Sequence, residues 1–273
     1  MTDPAEAGRL ADVALDVARE AAGLVRDARH GQVTVADTKT SDIDVVTETD
    51  RAAEDLIRSR ILARRPDDGF EGEEGADVEG TSGVTWVVDP IDGTVNFLYG
   101  IPQYAVSVAA VVDGEAVAGV VIDVAKGVEY VARPDPRSAD GATVALRDGV
   151  AIGVGPERAL GQMLVGTGFS YVRDVKVVQA AAVSALLPRV RDVRRLGSCA
   201  LDLCHVAEGL LDGYVEEGVN PWDHAAGALI ARAAGARSEL GPGRGGLTLL
   251  LCAPEHGFDE LRAATVDAGF WAE

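Results

Sequence analysis

Four short acidic segments hold the residues whose types and spacing could do chemistry: "DVVTETD" at 44–50, "EGEEG" at 71–75, "DPIDGT" at 89–94 and "NPWD" at 220–223. Most have an ordinary use as well. Asp50 could cap the helix that follows it, Asp223 could cap "HAAGALIARAAGA", and Glu73 with Glu74 could form a solvated turn. "DPIDGT" resists such a use. Trp86, Val87 and Val88 are apolar on both faces of a strand, so Asp89 lies at the mouth of a buried strand. An unpaired carboxylate there costs on the order of several kcal/mol. Pro90 restricts the backbone and turns the chain at once, so that Asp92 can fold back toward Asp89.

A cation between the two aspartates is the economical compensation. Oxygen ligands, with no His or Cys in these segments, point to a hard ion, Mg²⁺ before Zn²⁺. Paired carboxylates of this kind suit a two-metal phosphoryl site, with ions about 3.5 to 4 Å apart. If "TVNF" opens a helical turn, the backbone N–H groups of Gly93 and Thr94 face an anion, and phosphate is the anion to expect.

The elements that must position these residues are readable in outline. Leu10, Val13, Ala14, Val17, Ala21, Leu24 and Val25 recur at helical spacing and predict an amphipathic helix over 5–29. A second helix is predicted over about 51–64, ended by "RRPDDG". The Val-rich, glycine-punctuated middle reads as a sheet, with a hairpin turning at Asp113-Gly114. From about 177 the pattern returns to helix in "VVQAAAVSALLPRVRDV" and "SCALDLCHVAEGLL". A strand at "DGYVEE", a helix at "DHAAGALIARAAGA" and a last helix over 256–267 follow. This alternation predicts helical and sheet layers in one catalytic domain over 1–273, with an N-terminal subdomain of about 1–150 and a C-terminal one of about 151–273.

Composition sets the outer bounds. Lys and Arg number 25 against 44 Asp and Glu, a net charge of −19 that argues against nucleic acid as a partner. Aromatics are only 5%, so the core must rely on Ala, Val and Leu. Cys199, Cys204 and Cys252 form no CxxC pair and sit in apolar segments, which predicts buried free thiols in a reducing compartment. The first thirty residues interleave charges through their apolar positions and fit neither a signal peptide nor a membrane span, so a cytoplasmic protein is expected, with no membrane partner.

"WVVDPIDGTVNF", taken with "GEEG", "YGIPQYAVSVA" and "PWDHAAGALIARAAGA", resembles the inositol monophosphatase family of Mg²⁺-dependent, lithium-sensitive phosphatases, and within it the bacterial branch. The similarity extends through "TKTSDIDVVTETD", "VGTGFSY" and "LGSCALDLCHVAEGLLDGYVEEG", over about residues 35–255. The resemblance implies an α/β (α+β) fold, the layered α-β-α-β-α sandwich of the sugar phosphatases, a homodimer, and two or three Mg²⁺ ions. It assigns Glu73, Asp89 and the Ile91 carbonyl to one metal, and Asp89, Asp92 and Asp223 to a second. Glu74 would support its neighbour from behind, and Lys39 would lie near a mobile loop beside the metals. Thr94 paired with Asp50, together with Glu73, would orient and deprotonate a metal-activated water. Gly93, Thr94, Gly197, Ser198 and Glu216 would contact the substrate, a small phosphate monoester such as myo-inositol 1-phosphate. Cys199 stands where the family commonly has alanine, which leaves the choice of polyol open. The alternatives are a related phosphatase acting on histidinol phosphate, fructose 1,6-bisphosphate or 3′-phosphoadenosine 5′-phosphate, or a regulatory protein retaining the fold. A bisphosphate substrate would need added cations, for which "RDVRR" at 191–195 is the near candidate.

Overall fold

A computed structural model describes residues 2–31, 35–38, 45–138 and 141–272. The chain opens with helix α1 (Pro4–Arg29), whose buried stripe Leu10, Ala14, Val17, Ala21 and Val25 follows the helical period. Strands β1 (Val35–Thr38) and β2 (Val45–Thr47) pair antiparallel and lead into α2 (Glu48–Arg64). That helix begins three residues before its expected start, because Thr47 and Asp50 form a reciprocal capping box around its first turn.

Next come β3 (Gly69–Gly72), β4 (Val84–Asp92), the short helix α3 (Thr94–Tyr99), β5 (Ala105–Val112) and β6 (Glu115–Asp123). β7 (Val128–Pro134), β8 (Thr143–Arg147) and β9 (Val150–Ala151) complete a seven-stranded sheet in the order β3-β4-β5-β6-β7-β8-β9. The β5–β6 hairpin turns at Asp113 and Gly114, whose φ angles of 52° and 80° are those a tight primed turn demands.

The second half runs β10 (Leu164–Thr167), α4 (Arg173–Leu186), β11 (Asp192–Arg194), α5 (Cys199–Ala207) and β12 (Gly213–Glu217). It ends with α6 (Pro221–Ala233), β13 (Ala236–Pro242), β14 (Thr248–Pro254) and α7 (Glu255–Ala268). Its five strands are ordered β11-β10-β12-β14-β13. The helix expected through 193 stops at Leu186: Pro188 supplies no N–H, and the chain passes through a 3₁₀ turn into β11.

Strand alternation sorts the core into layers. Val106, Val108 and Val88 face α1 and α2, whereas Ala109, Val87 and Val121 face α5 and α6. The same two helices meet Tyr214 and Cys252 of the five-stranded sheet on their other side. Val165, Val215 and Leu251 then pack beneath α4 and α7, against Leu186, Phe258 and Leu261. The result is the expected α-β-α-β-α sandwich. Small residues let its middle close: a Cβ at Gly119 would lie 3.0 Å from the Ala226 Cα, and one at Gly227 would lie 2.9 Å from the Leu203 Cβ. No helix among the described residues is long and apolar enough to cross a membrane.

Candidate active site

The end of β4 builds the first wall of the site. Antiparallel pairing with β5 is regular up to Asp89–Ser107 and then breaks before Asp92–Ala105, so the two residues between, Pro90 and Ile91, form a bulge. The break re-aims the strand end and brings both aspartates toward one cavity. Asp89 is 2% exposed, and its Oδ1 accepts the Ile91 N–H at 2.9 Å. Gly93 follows with φ 96°, and a Cβ there would crowd the Gln103 carbonyl at 2.9 Å, so only glycine turns the chain from β4 into α3 at this point.

Helix starts supply the remaining walls. Asp92 lies against the first turn of α5, where it accepts from Ser198 Oγ and from the Ala200 N–H, both at 2.6 Å. Asp50 sits at the third position of α2, fully buried, taking the Thr47 N–H at 2.9 Å on Oδ2 and the Thr94 hydroxyl at 3.0 Å on Oδ1. The Ile91 carbonyl is a second acceptor 3.0 Å from the same hydroxyl and competes for its single proton. Asp223 occupies the third position of α6 and takes the Asn220 N–H at 2.6 Å. Asp50 and Asp223 thus each cap a helix, Asp223 while also lining the cavity.

These elements enclose a cavity of about 510 Å³. Glu73, Asp89, Ile91, Asp92 and Asp223 line it, as do Gly93, Thr94, Gly197, Ser198 and Glu216. Asp50 stands behind the wall, in contact through Thr94. Lys39 lies outside the described residues. Among the described residues, no three His, Cys, Asp or Glu side chains already converge as a finished ion cage. The carboxylates face a shared space while Asp89 and Asp223 are bonded within their own segments and Asp92 to the start of α5.

The electrostatics test whether that space suits a metal. Five carboxylate side chains line the cavity, and among the described residues one cation, Arg195, stands with them. Burial, set against hydrogen bonds from Ser198 and Ala200 and reinforced by Glu216 and Asp202, pushes the Asp92 carboxyl up to about 7. Burial and then the neighbouring charge of Glu73 hold Asp223 well above the carboxylate range. Five carboxylates against one guanidinium leave an excess of negative charge that fits divalent cations held by oxygen, with Glu73, Asp89, Asp92, Asp223 and the Ile91 carbonyl as donors.

At the far end Glu216 accepts the Tyr214 hydroxyl, and Arg195 counters its charge while burial raises its proton affinity. A Cβ at Gly168 would run into the Glu216 carboxylate, so this glycine clears the space that Glu216 fills. Cys199 lies beside it, its thiol pushed up well above the usual range by burial and then by Glu216. Gly168 and the run 169–172 also line the cavity; in the sequence the only signal for 168–171 is their place in "VGTGFSY", and Val172 has none.

The layered sheets and helices close a carboxylate-walled cavity at their strand and helix ends, an arrangement suited to holding cations. Residues 7–264 match the Inositol monophosphatase family, and the chain belongs to it. The family is generally metal-dependent. The chain is 47% identical to "Inositol-1-monophosphatase SuhB" of Mycobacterium tuberculosis, over 95% of this chain and 94% of that protein. It is 36% identical to "Nus factor SuhB" of Pasteurella multocida, over 82% of each. Among solved structures, Mycobacterium tuberculosis SuhB superposes with a TM-score of 0.81 at 41% identity, covering 100% of both chains. Thermotoga maritima IMPase superposes with a TM-score of 0.80 at 30% identity, covering 95% of this chain and 97% of that one.

Proposed function

We propose that this chain is a Mg²⁺-dependent phosphomonoesterase that hydrolyses myo-inositol 1-phosphate to myo-inositol and phosphate. The observation that carries the reading is the oxygen-only donor set of Glu73, Asp89, Asp92, Asp223 and the Ile91 carbonyl around one cavity. Family membership and the name of the Mycobacterium tuberculosis relative support the substrate. Two or three Mg²⁺ ions held by these residues would lower the pKa of an attacking water and neutralise charge on the phosphate oxygens.

The chain's own groups handle protons and orientation. With its hydrogen directed at Asp50, the Thr94 hydroxyl keeps an oxygen lone pair for a water in the cavity, so a proton can leave that water toward the Asp50 carboxylate. Glu73, which also lines the cavity, is the second group able to take it. Glu216 accepts from a ring hydroxyl, and Ser198 keeps Asp92 turned inward. Arg195 is the one cation lining the cavity among the described residues, and its charge is already shared between Glu216 and Asp202. Among the described residues no cluster of cations lines the cavity for a second phosphate, which favours a monoester over a bisphosphate.

Phosphate release from myo-inositol 1-phosphate, measured beside histidinol, fructose and nucleotide phosphates at fixed Mg²⁺, tests the reading. Turnover should be highest with the inositol ester and abolished by chelator. Asp92→Asn should retain the fold and lose activity by about a hundredfold or more. Undiminished turnover would remove Asp92 from the metal site. A second reading, a regulatory protein retaining the fold, draws on the name of the Pasteurella multocida relative. It would be favoured by no phosphate release from any ester with or without Mg²⁺.

A further inference from the structure

α2 contains an ion pair between a buried carboxylate and a half-buried guanidinium, directed at the loop that carries Glu73. Glu54 is 2% exposed, and its Oε1 accepts from Arg58 Nη2 at 2.9 Å one turn further along the helix. Its Oε2 accepts the Glu74 backbone N–H at 2.7 Å, and the Gly75 N–H is directed at the same carboxylate. The Arg58 guanidinium is stacked 4.8 Å over the Phe70 ring, between helix and strand. A Cβ at Gly72 would lie 2.6 Å from Glu54 Cδ, and one at Gly75 would lie 2.7 Å from Glu54 Oε1. Neither glycine has a positive φ. The two glycines that frame Glu73 and Glu74 are thus explained by space: they make room for Glu54 and Arg58.

An apolar side chain would pack α2 on the sheet without the cost of burying a charge. A carboxylate at position 54 instead gives the backbone N–H groups that follow Glu73 a fixed acceptor from the buried side of the loop. Arg58 neutralises that carboxylate, so the clamp adds no net charge beside the cavity.

We propose that Glu54, paired with Arg58, is a positioning residue for Glu73: it fixes the loop 73–75 so that the Glu73 carboxylate enters the ion-binding cavity. The proposal rests on the Mg²⁺ reading above. Isothermal titration of the full chain with Mg²⁺ alone tests it, with circular dichroism reporting the fold. Glu54→Ala should weaken Mg²⁺ binding about tenfold or more, the usual effect of removing a group that orients a ligand. Glu54→Gln, which keeps an acceptor for the Glu74 N–H but loses the ion pair, should give a smaller loss, and Arg58→Lys should bind nearly as the wild type does. A lowered melting temperature with unchanged Mg²⁺ affinity in folded Glu54→Ala would mean a fastening role only and overturn the proposal. Should that variant fail to fold, unchanged affinity in Glu54→Gln overturns it equally. Absence of Mg²⁺ binding by the wild type would instead remove the metal reading, and the clamp with it.

Discussion

Asp202 is 1% exposed, and among the described residues neither of its oxygens has a hydrogen-bond partner; His205 Nδ1 stands 3.6 Å away. Burial raises its carboxyl above the ordinary value of 3.8, against the opposing pull of His205 and Arg195. Between 3.8 and the raised value the folded chain holds the proton more tightly than the unfolded chain does. Stability from this group is therefore present at low pH and falls as pH rises through that window. Asp202→Asn should raise the melting temperature at neutral pH by a few degrees and give no gain below about pH 3.8, as thermal melts across pH would record. An equal shift at both ends of the range would remove the charge as its cause. The residues of "DPIDGT" are legible in the sequence because their chemistry lies in their spacing. The role of Glu54 and Arg58 is not, because the Glu74 N–H that Glu54 accepts and the Phe70 ring beneath Arg58 are brought near only by the fold.

Among elements, helices with a buried stripe are legible, and α1, α2, α6 and α7 fall close to where the period puts them. β10, β13 and β14 carry no such signal. "TLLLCAP" is continuously apolar, "ARSELGP" is mixed, and "LVGT" is only four residues long, so pattern alone cannot tell strand from core helix or loop. Their state is decided by pairing partners distant in the chain, as when Val165 meets Gly213 and Tyr214 meets Cys252. The site depends on one of these hidden elements. Gly168 directly follows β10, and Gly168→Ala should displace Glu216 and raise KM for the inositol ester, with Mg²⁺ affinity kept near wild type. Unaltered KM would detach Glu216 from substrate binding.

At the scale of the molecule, the cavity draws on both sheets. Glu73, Asp89 and Asp92 belong to the half built on seven strands, and Asp223 and Glu216 to the half built on five. A bound ion then contributes to the stability of the whole fold, by about 2.7 kcal/mol at a hundredfold excess over its Kd. Chelation should lower the melting temperature of the wild type and shift Asp223→Asn much less; equal shifts would exclude Asp223 as a ligand. Asp50 and Asp223 also hold the opening amides of α2 and α6, so replacing either frays a helix, a loss typically of about 1 kcal/mol. A descendant released from any need to bind an ion would still lose a helix opening on replacing Asp50 or Asp223, so drift in an idle copy of this gene should spare these two positions longer than ion binding alone would require.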